Sequence, residues 1–262
     1  MIVLVPSLTL QSYRHCGPSV GLEQVLPEDP GLRCRIARKH ASIPGGVLES
    51  LFDTAGGGED REGRLAELAR QVSVCTKCDL AKTRTNTVFA SGDPYSPLML
   101  VGEGPGENED ATGLPFVGRA GKLLDDILAA VDLTRQQVYL TNIVKCRAAV
   151  EEGGRMKNRQ PKTGEIRACN PYLQGQIEAV RPEIMLCLGG PAAKTVIDKD
   201  FRITKDRGQW YDIDGIKTMA TFHPAYVLRQ RGDDLTNTKR LVWKDIQNVY
   251  AEYQKAMEAR GS

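Results

Sequence analysis

Apolar positions along this chain follow two alternating rhythms. Leu65, Leu68, Ala69 and Val72 repeat at helical spacing, as do Leu123, Leu124, Ile127, Leu128 and Val131. Around them lie short, nearly unbroken apolar runs at Leu98 to Val101, Val138 to Val144, Glu183 to Leu188 and Lys217 to Phe222. Such runs predict strands buried on both faces. A further helix is predicted from Thr163 toward Val180, interrupted at Pro171. The Thr163 hydroxyl can cap it; Ile166, three residues on, cannot complete a capping box. Gly189-Gly190-Pro191 ends the third strand, and Pro191 suits the first turn of a helix. Arg202-Ile203 and Trp210 to Ile213 predict a small hairpin. The last helix is predicted from Thr238 to Met257, burying Leu241, Val242, Ile246, Val249, Tyr250 and Tyr253. Four strands separated mostly by helices predict an α/β fold with a parallel sheet covered on both faces.

The first 60 residues break this rhythm. They hold Pro6, Pro18, Pro27, Pro30 and Pro44, and run into Gly56-Gly57-Gly58. They are expected to form a flexible extension with one helical turn at Val47 to Phe52, ahead of a folded domain over 61–262. His15, Cys16, Cys34 and His40 lie in this extension at spacings that match no metal template.

Ligands of open α/β sheets bind at the carboxyl ends of the strands. Here those ends carry Gly102-Glu103, Asn142, Gly189-Gly190 and His223. The first strand runs into Gly102 to Gly121, GEGPGENEDATGLPFVGRAG. Its glycines at 102, 104 and 106 let backbone approach a ligand. Glu103, Glu107, Glu109 and Asp110 offer carboxylates, and Phe116 one aromatic face. Alone, the stretch reads as a solvated acidic turn; beside Asn142 and His223 it reads as one wall of a site. Asn142 can donate and accept at once, which fits the edge of a pyrimidine.

Composition narrows the class without naming it. Of 262 residues, 41% are hydrophobic and 26% charged, as in ordinary globular proteins. The net charge of +2 neither demands nor excludes a polyanion. Local charge says more: the connection 145–170 carries seven basic and three acidic residues, and 229–245 five and three. Both could contact phosphates. No apolar run reaches the roughly 18 residues of a membrane span. The apolar start lacks a basic segment and contains Pro6, so neither signal peptide nor membrane anchor is expected, and the expected compartment is the cytoplasm.

Reduced thiols or metal ligands are therefore the expected state of the seven cysteines. Cys75 and Cys78 can reach one metal centre, and Cys146 and Cys169 can complete a set of four. Such a set suits an iron–sulfur cluster or structural zinc; a redox pair with two spare thiols is the simpler alternative. Cys187 reads as a small buried hydrophobe. His223 is followed by Pro224 and then Tyr226, Val227, Leu228 and Arg229, an apolar wedge beside a cation that suits insertion into nucleic acid.

GEGPGENEDATGLPFVGRAG, TNIVKC and HPAYVLR, together with the four cysteines, closely resemble the family 4 uracil-DNA glycosylases from about Arg64 onward. The resemblance implies a three-layer α/β/α glycosylase fold around a central four-stranded parallel sheet, with a [4Fe-4S] cluster on Cys75, Cys78, Cys146 and Cys169. It implies a uracil pocket of Gly102, Glu103, Gly104, Phe116, Asn142 and His223. Tyr226 to Arg229 would enter uracil-containing DNA as the nucleotide flips out, and Asn158-Arg159 matches a DNA-binding position. The implied activity is monofunctional: uracil is released and an abasic site remains, the first step of base excision repair, carried out by a monomer. His223 would stabilise the leaving uracilate, and Glu103, Glu109 and Asp110 are the candidates for the sugar side. Better-known uracil glycosylases place a water-activating aspartate where this chain has Gly104.

One departure bears on the outcome. The interval between Cys146 and Cys169 holds 22 residues, long for the family. A related branch carries here a histidine that traps the DNA covalently. Arg155 to Pro161 holds none, so turnover is expected. The alternatives are a non-catalytic or covalently trapping uracil-DNA-binding protein, and a small iron–sulfur redox protein.

Overall fold

The computed structural model describes residues 60–261. The expectations placed on residues 1–59, including the helical turn and the four potential ligands there, lie outside the described residues.

The chain enters through α1 (Arg61–Ser73), capped by the Asp60 carboxylate, which accepts from the Gly63 amide at 2.8 Å. Then follow β1 (Ser91–Gly92), β2 (Leu98–Gly102), α2 (Glu107–Thr112), α3 (Arg119–Ala129) and β3 (Tyr139–Asn142). A two-stranded excursion comes next, β4 (Ala149–Glu152) against β5 (Arg155–Asn158), then α4 (Thr163–Val180), β6 (Ile184–Leu188) and α5 (Gly190–Val196). The chain closes with α6 (Ile203–Asp206), β7 (Tyr211–Ile213), β8 (Ile216–Thr221), α7 (Pro224–Val227) and α8 (Gly232–Gly261).

The main sheet has the order β1-β3-β2-β6-β8-β7. Its four inner strands are parallel, as the apolar runs predict. The sheet is nevertheless six-stranded and mixed, because β1 and β7 add antiparallel edges. Edges of two and three residues are too short to show a period of two in sequence. Every residue of β2 and β6 is buried, which is why both read as unbroken apolar runs.

Alternation through these strands builds both outer layers. Leu98 and Leu100 join Leu124 and Leu128 of α3 and Ile246 and Val249 of α8. Met99 and Val101 point the other way, to Leu65 of α1, Leu173 of α4 and Ala192 of α5. Each such leucine contributes about 1.5–3 kcal/mol by leaving water. The result is an α/β/α sandwich.

Several local expectations change. Arg202-Ile203 makes no hairpin arm: Ile203 opens α6, and β7 pairs instead with β8. The turn between them is Asp214-Gly215, at φ 52° and 82°, the left-handed pair that a tight hairpin needs. The connection 145–170 is not all loop, since β4 and β5 pair within it. Thr163 is the first helical residue of α4 and not its cap. The cap is Lys162, whose amide donates to Glu165 at 2.7 Å, so the reaching side chain lies one position before Ile166. The helix runs unbroken through Pro171, held on either side of it by buried Glu165, Tyr172 and Leu173. The last helix is longer than expected at both ends.

Candidate active site and cysteine centre

Gly102 and Asn142 are register partners at the ends of β2 and β3. A Cβ on Gly102 would stand 2.3 Å from Asn142 Oδ1 and 2.5 Å from Phe116 Cζ. Only glycine lets all three meet. Phe116 holds φ at 55°, a left-handed conformation costing about 1–2 kcal/mol for a residue with a side chain. The surroundings enforce it: Arg135 Nη2 donates to the Phe116 carbonyl at 2.8 Å, and a Cβ on Gly121 would collide with that carbonyl at 1.7 Å. The Phe116 and His223 rings lie 6.3 Å apart with planes 29° from parallel. Glu103, Gly104, Phe116, Asn142, His223 and Arg229 line one cleft.

Two features prepare this cleft for hydrogen bonding. Asn142 is 3% exposed, yet its Oδ1 has no partner. An orphaned buried acceptor costs about 1–3 kcal/mol, which a ligand donor would recover. His223 Nδ1 accepts from the Ala225 amide at 3.0 Å, which leaves the proton on Nε2. Burial, with Arg229 adding to it, pushes the His223 imidazolium down to about 4. The ring is therefore neutral at pH 7 and still a donor.

The three carboxylates expected on the sugar side separate. Glu103 lines the cleft, and burial raises its pKa while Arg229 opposes the rise. Glu109 also lines the cleft, but its oxygens accept from the amides of Gly106 at 3.0 Å, Val117 at 2.9 Å and Gly118 at 2.8 Å. It ties the two ends of the glycine-rich loop together. Asp110 is 4% exposed, is not part of the cleft wall, and accepts from the Thr85 amide at 2.9 Å. Sequence proximity grouped three acids that the fold assigns to three tasks.

The expected DNA-contacting residues divide in the same way. Val227 is buried, and Tyr226 stacks on Phe222 with centroids 4.9 Å apart. Leu228 and Arg229 are left as the more accessible part of the wedge. Asn158 lines the cleft and accepts from Arg147 Nε at 2.7 Å. Arg159 makes two bonds to Glu165, at 2.8 and 2.6 Å, and holds that carboxyl below its usual range. Arg119, in the first turn of α3, was not singled out in sequence but lines the cleft; its place inside the glycine-rich motif was the available signal.

Lys145 lines a second, apolar cavity. Cys75, Cys78, Cys146 and Cys169 all line it, with Val72, Leu80, Val144 and Tyr172. Cys75 follows the end of α1, Cys78 opens a 3-10 turn over Asp79–Lys82, Cys146 follows β3, and Cys169 rides on α4. Arg84 Nη1 approaches Cys146 Sγ at 3.3 Å, and the Lys145 amide donates to Cys169 Sγ at 3.3 Å. Burial pushes the Cys169 thiol up to about 11, so binding metal there must displace a proton. Among the described residues, no three His, Cys, Asp or Glu side chains stand gathered around a single-ion position. Cys187 lies buried in β6, away from this cavity.

The sequence profile of the Uracil DNA glycosylase superfamily matches residues 89–247. The type-4 uracil-DNA glycosylase of Thermotoga maritima is 40% identical over 197 residues, spanning 74% of this chain and 97% of that protein. The chain belongs to the type-4 uracil-DNA glycosylase family. The type-4 enzymes of Archaeoglobus fulgidus, 41% identical over 172 residues (63% of this chain, 83% of that one), and of Sulfurisphaera tokodaii, 39% over 194 (71% and 83%), agree. In this type-4 glycosylase family member, the matched region contains the whole cleft and two of the four cysteines, Cys146 and Cys169. Among the described residues no helix is long and apolar enough to cross a membrane.

Proposed function

We propose that this chain releases uracil from DNA by hydrolysing its N-glycosidic bond, turning over and leaving an abasic site. The observation that carries the reading is the buried, unpaired Asn142 Oδ1 at a strand end. Uracil presents an N3–H that this acceptor can take; cytosine presents a bare N3, so two acceptors would face each other. Phe116 supplies a face for the base and His223 Nε2 a neutral donor for O2. The nucleotide must leave the stack to reach this cleft, and Leu228 and Arg229, the more accessible residues of the wedge, would meet the vacated duplex.

The bond between C1′ and N1 breaks with its electron pair going to the base. His223 stabilises the resulting uracilate at O2, as preorganised donors do for developing anions. The electron-poor sugar is captured by water, whose proton is passed on and, through solvent, neutralises the departed uracilate. Of the three carboxylates expected on the sugar side, Glu103 is the one that lines the cleft with its side chain uncommitted, and it is the group assigned to the sugar side.

The four cysteines fit an iron–sulfur cluster: an apolar pocket, a complete thiol set and N–H groups aimed at two of the sulfurs. When bound, the cluster would supply a structural cross-link among α1, the connection after β3 and α4. The chain's own residues carry the base chemistry. The protein is assigned to a reducing, cytoplasmic setting and acts as a monomer.

The test is uracil release from a uracil-containing oligonucleotide, followed by alkali. Strand cleavage at the uracil, at least tenfold slower in Asn142→Leu, is expected. Intact strands with the wild type overturn the reading.

A further inference from the structure

Lys145 stands between the two sites described above. Its side chain is among the largest fully buried ones, at 1% exposure. Its Nζ donates to Thr141 Oγ1 at 2.7 Å, to the Asn142 carbonyl at 2.6 Å and to Gln176 Oε1 at 2.5 Å. All three acceptors are neutral. Gln176 is held in turn by the Phe89 carbonyl at 3.2 Å and the Tyr139 hydroxyl at 3.2 Å, and Thr141 by the Phe89 carbonyl at 3.0 Å. No carboxylate belongs to this network among the described residues.

A buried ammonium without an opposing charge is costly, because hydrogen bonds to neutral acceptors replace only part of its hydration. Cys169, whose sulfur accepts from the Lys145 amide and whose charge acts on the Lys145 ammonium, can carry the missing negative charge. Four thiolates around an iron–sulfur core are net negative. The other cations lining the cysteine cavity, partly buried Arg84 and exposed Lys77, are the less effective counter-charges.

We infer that Lys145 is the internal counter-cation of the cysteine-bound cluster and, through its bond to the Asn142 carbonyl, the positioning residue that ties cluster to uracil reader. It touches no substrate; it fixes the backbone from which Asn142 projects. Loss of the cluster would leave the ammonium uncompensated and loosen that bond, so the two sites fail together. This rests on the cluster reading proposed above.

The experiment uses the full chain with Lys145→Gln, which keeps a donor but loses the charge. Iron and sulfide content, cluster midpoint potential, and kcat and KM for uracil release are measured beside the wild type. With the buried cation gone, adding an electron is harder, so the potential moves negative. Supporting groups of this kind change activity about 10–100-fold, here as a fall in kcat with KM nearly unmoved. A purely structural lysine would leave the potential of the assembled cluster unchanged. If Lys145→Gln does not fold, Gln176→Glu carries the test, because its carboxylate neutralises Lys145 in place and moves the potential the same way. A wild type without iron and sulfide sinks the cluster reading and this inference with it. A wild type with a cluster, matched in potential and kcat by the variants, overturns this inference alone.

Discussion

Gly102 and Asn142 face each other at the ends of paired parallel strands, so close that a single methyl on Gly102 would stand 2.3 Å from Asn142 Oδ1. The same methyl would press on Phe116 at 2.5 Å. Gly102→Ala must therefore move either the Asn142 amide proposed to read the base or the Phe116 ring proposed to stack on it. Displacements of about 1 Å at a reacting centre cost on the order of 10²-fold. The expected result is a drop of that order in kcat/KM for uracil release, with the far-ultraviolet circular dichroism unchanged.

Asn142→Leu separates activity from stability. The change removes a buried acceptor that has no partner, so the fold loses nothing and gains up to about 1–3 kcal/mol. Uracil release falls at least tenfold because the N3–H then meets an apolar group. Thermal denaturation and a release assay on one preparation check both halves. A lower melting temperature with unchanged release would contradict the assignment.

The pH dependence follows from His223. Its folded pKa of about 4 lies below the ordinary 6.5. Between these values the unfolded chain binds more protons than the folded one, so this group makes stability rise with pH across that window. Stability is lost as pH falls from 6.5 toward 4. His223→Asn should flatten this dependence in urea denaturation at pH 5 against pH 7. The folded ring stays largely neutral until pH approaches its pKa of about 4, so the acid limb of kcat should not show a group near 6.5.

Arg159 and Arg229 should behave differently although both are arginines near the cleft. Arg159 is bound to buried Glu165 through two bonds, so Arg159→Ala should cost about 1–3 kcal/mol of stability. Arg229 is exposed, and Arg229→Ala should leave stability alone, weaken binding to abasic or uracil-containing DNA, and lower the salt slope by about 1. Denaturant melts and binding over a salt series distinguish the two.

Removal of the proposed cluster should weaken the fold around α1, the connection after β3 and α4 together, because those segments meet at the four cysteines. Cys169→Ala should lose the visible absorbance bands and lower both the melting temperature and DNA affinity. DNA affinity that survives in a cluster-free variant would show the connection to be ordered without it.

The amino-acid pattern alone determined the inner sheet, the helices that cover it and the convergence of Gly102, Asn142 and His223. Strands buried on both faces and long amphipathic helices leave strong local periodicities, and parallel strands put their ends on one edge. What the tertiary structure decided were matters of partner and direction. Glu109 and Asp110 look like acids ready for chemistry until the amides of Gly106, Val117 and Gly118, and that of Thr85, are seen to occupy them. Arg159 looks like a phosphate contact until Glu165 is found against it. Lys145 carries no sequence signal of burial at all, since a lysine between a strand and a cysteine reads as surface charge. A side chain's role depends on which distant groups satisfy its hydrogen bonds and its charge, and local periodicity does not encode those pairings. The glycine-rich stretch was legible as one wall of a candidate cleft, but which of its atoms are bonded, and which, like Asn142 Oδ1 beside it, are left unpaired, was decided by packing.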